Sequence, residues 1–239
     1  MEQLKLQLQS LRLSGMANCL EALYETRKIH ELSLIDGLKF LIQAETDCRW
    51  NNRYARLIKN ANFRYSASIE QVTPSAARNL DAGQLSILST GQYVKNGESI
   101  IIVGATGCGK SFLASAFGHQ ACKQGYTVAY YNIQKLMTKL KADRLEGQLI
   151  KSMEKLAKTD LLILDDFGLI TLSSNQQNDL MEIIEDRHGK RSTIIASQLP
   201  VSVWFDVFPE ATVADALLDR LSNASHRIEL KGPSLRKKK

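Results

Sequence analysis

Eight residues, Gly104-Ala105-Thr106-Gly107-Cys108-Gly109-Lys110-Ser111, bring glycines, a lysine and a hydroxyl together at a spacing suited to phosphate chemistry. Glycines let a backbone wrap closely around phosphates with its N–H groups turned inward. A lysine at position 110 reaches β- and γ-phosphates, and a hydroxyl at position 111 ligates Mg²⁺. These eight residues and the following Phe112 are the candidate contacts for a nucleoside triphosphate. The flanking elements fit that use. Ser99-Ile100-Ile101-Ile102-Val103 is a β-branched run bounded by Gly97 and Gly104, and Phe112 to Phe117 has a helical pattern. A glycine-rich turn that merely precedes a lysine is the bland alternative. The order strand, loop, helix favours a P-loop, whose helix adds its positive dipole end.

A Mg²⁺-dependent nucleotide site also needs acids on a neighbouring strand. Leu161-Leu162-Ile163-Leu164 reads as a buried strand that ends in Asp165-Asp166, with Gly168 beyond. Asp165 is placed to hold Mg²⁺ through water or through Ser111, and Asp166 to orient and polarise an attacking water. Gln198 ends a later strand and is a candidate for contact with the γ-phosphate or the water; a plain polar loop residue is the alternative. Arg220, in the helical run Asp215–Leu221, is a candidate for stabilising charge on the transferred phosphoryl group, in cis or from a neighbouring subunit. A salt-bridged surface arginine fits the pattern equally. Arg187, at a helix C-terminus, is a second candidate with a stronger structural explanation.

The positioning elements alternate. Helix follows the P-loop to about residue 124, Thr127–Tyr131 reads as strand, and helices cover about 133–144 and 145–157. Gln176–Arg187 reads as helix, Ser192–Ala196 as strand and His226–Leu230 as a last strand. Alternation of this kind predicts a mainly parallel sheet covered on both faces, with ligands at the carboxyl ends of its strands. The P-loop, the acid pair and Gln198 all fall at such ends.

Upstream, residues 1–66 read as a small helical domain. Leu4, Leu8 and Leu11 keep a helical period that Gly15 interrupts, and Ser33 caps a later run. From Arg49 to Arg64 the basic residues Arg49, Arg53, Arg56, Lys59 and Arg64 occur with no acid among them, interleaved with Trp50, Tyr54 and Phe63. That is the footprint of binding to a phosphate backbone, and equally that of a solvated cationic face. Residues 67–96 read as a linker leading into a P-loop domain at 97–239, with Leu80, Leu85, Ile87 and Leu88 packing onto it.

The 239 residues carry a formal net charge of +6, which suits an acidic polymer as partner. The four cysteines have no metal-ligand or disulfide spacing, so reduced thiols and a cytoplasmic location are expected. Cys108 lies in the phosphate loop, where alkylation is expected to inactivate. No apolar run approaches bilayer length, and no signal-peptide core opens the chain.

Taken with Asn52–Lys59, Gly118-His119-Gln120-Ala121, Ile194–Pro200 and Glu229–Arg236, these motifs resemble the IstB family. Its members are AAA+ ATPase helpers of bacterial transposition, related to the DnaC helicase loaders and to DnaA. The resemblance implies an α/β P-loop fold of the ASCE type, with a five-stranded sheet ordered 5-1-4-3-2 and an all-α N-terminal DNA-binding domain. It further implies a homo-oligomer that assembles with ATP on duplex DNA, deforms it and recruits or stimulates a transposase. By family position Lys110 and Ser111 carry Walker A, Asp165 and Asp166 Walker B, Gln198 sensor 1 and Arg220 the arginine finger. Arg236 is a weaker match to sensor 2. Asp166 stands where many AAA+ proteins have Glu, and Gln198 where many have Asn or Asp. A helicase loader acting on single strands is the runner-up. A metabolic kinase lacks an arginine-rich lid here, and intact Lys110, Ser111 and Asp165 argue against a DNA-bending protein with a dead site.

Overall fold

The computed structural model describes residues 1–223 and 225–235. Arg236 and the rest of the basic tail lie outside the described residues. The chain divides into two units, one from Met1 to Arg56 and one beginning at Leu57.

The first unit holds α1 (Glu2–Ser10), α2 (Ser14–Glu25) and most of α3, which runs from Leu34 to Ala61. Ser33 opens α3 as expected, its Oγ accepting from the Asp36 N–H at 3.2 Å. Gly15 is not the interruption its position suggested. The chain turns before it, with Arg12 at φ 60°, and Gly15 lies buried within α2. A Cβ there would sit 2.5 Å from the Ala44 carbonyl oxygen and 2.7 Å from the Cys48 Cβ, so its small size lets α2 touch α3. Glu45 secures this crossing: its Oε2 accepts from the N–H groups of Gly15 at 2.8 Å and Met16 at 3.2 Å. Both are first-turn donors with no partner inside α2.

The second unit is built on one parallel sheet of β1 (Ser99–Gly104), β2 (Val128–Asn132), β3 (Leu161–Phe167), β4 (Ser192–Ser197) and β5 (Ser225–Leu230). Its order is β2-β3-β4-β1-β5, which from the other edge is 5-1-4-3-2. Leu161 to Leu164 on β3 and Ile194 to Ala196 on β4 are wholly buried, as strands covered on both faces must be. Around the sheet lie α6 (Lys110–Lys123), α7 (Ile133–Leu145), α8 (Leu149–Lys158), α9 (Ser174–Arg187) and α10 (Ala211–Ser222). The second of the two middle helices starts at Leu149 rather than Leu145, because Gly147 turns the chain at φ 68°.

Residues 67–96 hold two further helices, α4 (Ala82–Ser89) and α5 (Gln92–Asn96). Asp81 caps α4 by accepting from the Gln84 N–H at 2.6 Å. Leu80, Leu85 and Leu88 are buried as expected, but Ile87 is 65% exposed, since it points off the opposite side of α4. Among the described residues no helix is long and apolar enough to cross a membrane.

Candidate nucleotide site

β1 ends at Gly104 and α6 begins at Lys110, so the loop between them leads straight to the unpaired N–H groups of a helix start. Gly107 and Gly109 have φ values of 84° and 95°, a region costly for residues with a Cβ. Lys110 is buried, and its Nζ donates to the Ala105 carbonyl at 2.9 Å. The ammonium is thus folded back over the loop.

Ser111 Oγ donates to Oδ1 of Asp165 at 3.0 Å, leaving the hydroxyl's lone pairs free for a cation. Asp165 is 1% exposed, and its Oδ2 accepts the Tyr130 hydroxyl. Burial, and then the adjacent Asp165 charge, push the Tyr130 phenol above its ordinary pKa, so it stays a donor. Asp166 sits where the β3–β4 register shifts between Leu164 and Phe167, in a left-handed conformation with φ 58°. Asn132 Nδ2 donates to Asp166 Oδ2 at 2.9 Å. The Oδ1 of the same Asn132 caps α7 through the N–H groups of Gln134 and Lys135, which fixes the amide's orientation. Gln198 follows β4, and its Oε1 accepts the Thr106 hydroxyl.

Thr106, Lys110, Ser111, Phe112, Asp166 and Gln198 line one cleft of about 350 Å³, together with Gly107, Gly109, Arg64, Tyr65 and Leu235. Cys108 is 1% exposed and is not part of that lining, so burial shields the thiol that the sequence placed within reach of alkylation. Two contacts at the loop had no signal in the sequence. Arg78 Nη2 donates to the Cys108 carbonyl at 2.7 Å, and the Leu235 N–H donates to the Gly107 carbonyl at 2.9 Å.

The residues fit Mg·ATP. Ser111 and Asp165 offer hard oxygen donors beside a glycine cradle and an ammonium, and Mg²⁺ is commonly held by one or two carboxylates plus substrate phosphates. Among the described residues no cluster of three or more His, Cys, Asp or Glu could cage a metal by itself.

The other candidates lie elsewhere. Arg220 forms an ion pair with Glu185 and donates to the Ala216 carbonyl at 2.9 Å. It lines a separate hollow with Gly97, Ser99 and Thr193, at the N-terminal ends of β1 and β4, opposite the P-loop. Arg220 therefore does not reach the P-loop of its own chain. Arg187 is structural: it is 1% exposed and donates to Thr193 Oγ1 and to the carbonyls of Leu156, Thr159 and Ser192. Arg49, Arg53, Arg56 and Lys59 are all exposed on α3. Arg49 pairs with Glu45 at 2.7 Å, and the Arg53 guanidinium lies 6.0 Å from the Trp50 ring centroid. Arg64, grouped with them by sequence, is found instead at the acid pair, 3.3 Å from Asp165 Oδ2 and 3.2 Å from Asp166 Oδ2. Sequence proximity gave no hint of this, because α3 ends at Ala61 and the chain then turns at Asn62, with φ 56°.

Residues 6–239 match the family described as IstB-like ATP binding protein. A Sinorhizobium fredii protein described as an insertion sequence ATP-binding protein is 38% identical over 230 residues, covering 96% of this chain and 93% of its own. Among solved structures, a DnaC helicase loader superimposes with a TM-score of 0.57 at 21% identity, over 70% of this chain and 98% of that one. DnaA from Aquifex aeolicus bound to AMPPCP gives 0.60 at 20% identity, over 71% of this chain and 51% of that one. The fold is that of an AAA+ P-loop domain.

Proposed function

The chain belongs to the family of IstB-like ATP binding proteins, and on that premise we propose that it is a Mg²⁺-dependent ATPase acting in DNA transposition. It assembles on duplex DNA as a homo-oligomer, deforms the duplex, and recruits or stimulates a transposase in a bacterial cytoplasm. The observation that carries the ATPase reading is the bond from Ser111 to Asp165 beneath a cleft lined by Lys110 and Asp166.

Each residue has a role. The loop N–H groups and Lys110 take up the negative charge of the β- and γ-phosphates. Ser111 and Asp165 hold Mg²⁺, which when bound spreads the charge that develops on the phosphoryl oxygens. Asp166 accepts a proton from the attacking water, while Asn132 and Gln198 orient the groups around it. Arg220 supplies positive charge to the site of an adjacent copy. The exposed basic face of α3 supplies phosphate contacts to DNA.

The relatives' association with insertion sequences supports transposition, and their coverage of nearly the whole chain supports a shared arrangement. A gel shift with duplex and single-stranded DNA, with and without ATP, tests the reading. ATP-dependent retention of duplex is expected. Preference for single strands would favour the helicase-loader alternative.

A further inference from the structure

Gly118 and His119, in the Gly118–Ala121 motif on α6, have no place in the nucleotide chemistry described so far. What covers them is Phe63. Its ring stacks on the His119 imidazole with centroids 4.3 Å apart. A Cβ at Gly118 would run into the Phe63 ring and would lie 2.8 Å from Ile163 Cδ1, so the absent side chain is the notch that admits Phe63. Two residues further on, the Tyr65 carbonyl faces His119 Nε2 at 3.3 Å. The segment is therefore pinned on both sides of Arg64, and the pinning aims Arg64 into the cleft.

There the guanidinium meets both Walker B acids through one nitrogen. A carboxylate has about four acceptor positions. Asp165 already receives Ser111 and Tyr130, so Arg64 takes a third, and Asp166 Oδ2 is shared between Asn132 and Arg64. These are the positions that the water shell of a bound divalent ion needs, and a second cation beside them repels it.

We propose that Arg64 is a resident counter-cation of the nucleotide site. It offsets part of the charge of Asp165 and Asp166 when no divalent ion is present and gives up that contact as Mg·ATP loads, so that occupancy of the site is read by the segment from Phe63 to Tyr65. The inference rests on the reading of the P-loop as a Mg·ATP site. Arg64 acts here as a positioning and charge-balancing residue, with Phe63 acting through it.

The test is equilibrium binding of mant-ATP to the full chain, titrated with MgCl₂ from an EDTA-treated start. Arg64→Ala should lower the Mg²⁺ concentration at half-saturation about three- to tenfold, as expected for loss of two partly exposed ion pairs. Arg64→Lys should stay near wild type. Phe63→Ala should shift the midpoint the same way, and adding it to Arg64→Ala should produce no further shift. Arg64→Gln, which keeps the stem without the charge, replaces Arg64→Ala if the alanine variant melts out. An unchanged or raised midpoint, with wild type binding normally, overturns the inference alone. So does an equal loss of mant-ATP affinity in EDTA and in Mg²⁺, which would make Arg64 a permanent phosphate ligand. Failure of folded wild-type protein to bind mant-ATP in Mg²⁺ would overturn the nucleotide-site reading and this inference with it.

Discussion

The hydroxyl of Ser111 donates to Oδ1 of Asp165 at 3.0 Å, across a separation of 54 residues. The strands that lead to them are not neighbours, because β4 lies between β1 and β3. The bond forms because α6 starts at the end of β1, while the buried run of β3 carries Asp165 to the same carboxyl edge. Backbone elements thus set the spacing of the two groups proposed to hold Mg²⁺, and little reorganisation remains when ligand arrives.

Asp166→Asn should spare mant-ATP binding and slow turnover by about 100-fold or more, since it keeps the shape and removes the proton acceptor. Steady-state phosphate release checks this. ATP-dependent DNA complexes should also last longer. Full-rate hydrolysis would make Asp166 structural, held by Asn132 for the sake of the strand end.

Arg220→Ala should leave the melting temperature and nucleotide affinity nearly unchanged, because the lost pair with Glu185 is a partly exposed one. Hydrolysis should fall, and mixing with Lys110→Ala protein should restore part of it, each copy supplying what its neighbour lacks. Unaltered turnover by Arg220→Ala alone would rule out a finger at this position.

Replacing Arg53 and Arg56 together with Ala should weaken duplex binding on random and specific sequences alike. Each phosphate contact contributes about 0.9 to the slope of log affinity against log salt, so the slope should flatten by about two. Arg49 is left out of the pair because its link to Glu45, which also holds Gly15, confounds charge with folding. A salt titration in saturating ATP decides; an unchanged slope would leave α3 with a merely solvated face.

Much of the sheet could be read from the chain, because short apolar runs with polar flanks, such as Leu161–Leu164, have the length of a buried strand rather than of a helix. The P-loop and the acid pair followed, since local order suffices to place both at strand ends. What escaped depended on distant contacts. Gly15 looked like a break because helical period is blind to a second helix pressing on the same face. Ile87 was read as core because a short apolar run does not say which side is covered. Tyr130 was simply a strand residue, and Asn132 lay just past the strand read at Thr127–Tyr131, until the register paired Asn132 with Asp165. Arg64 shared a charge run with α3, and only the turn at Asn62 with the Phe63 notch sends it to the acids.

The central claim is that the loop from Gly104 to Ser111 is a working Mg·ATP site, and direct binding to Lys110→Ala tests it most simply. Lys110 is buried and held by the Ala105 carbonyl, so its loss removes a sheltered charge facing the phosphates. Equilibrium mant-ATP binding in Mg²⁺ should be about 10- to 100-fold weaker than wild type, the range expected for loss of a charged hydrogen-bond partner, with the melting temperature of the free protein little changed. Wild-type affinity in a folded Lys110→Ala protein would contradict the account.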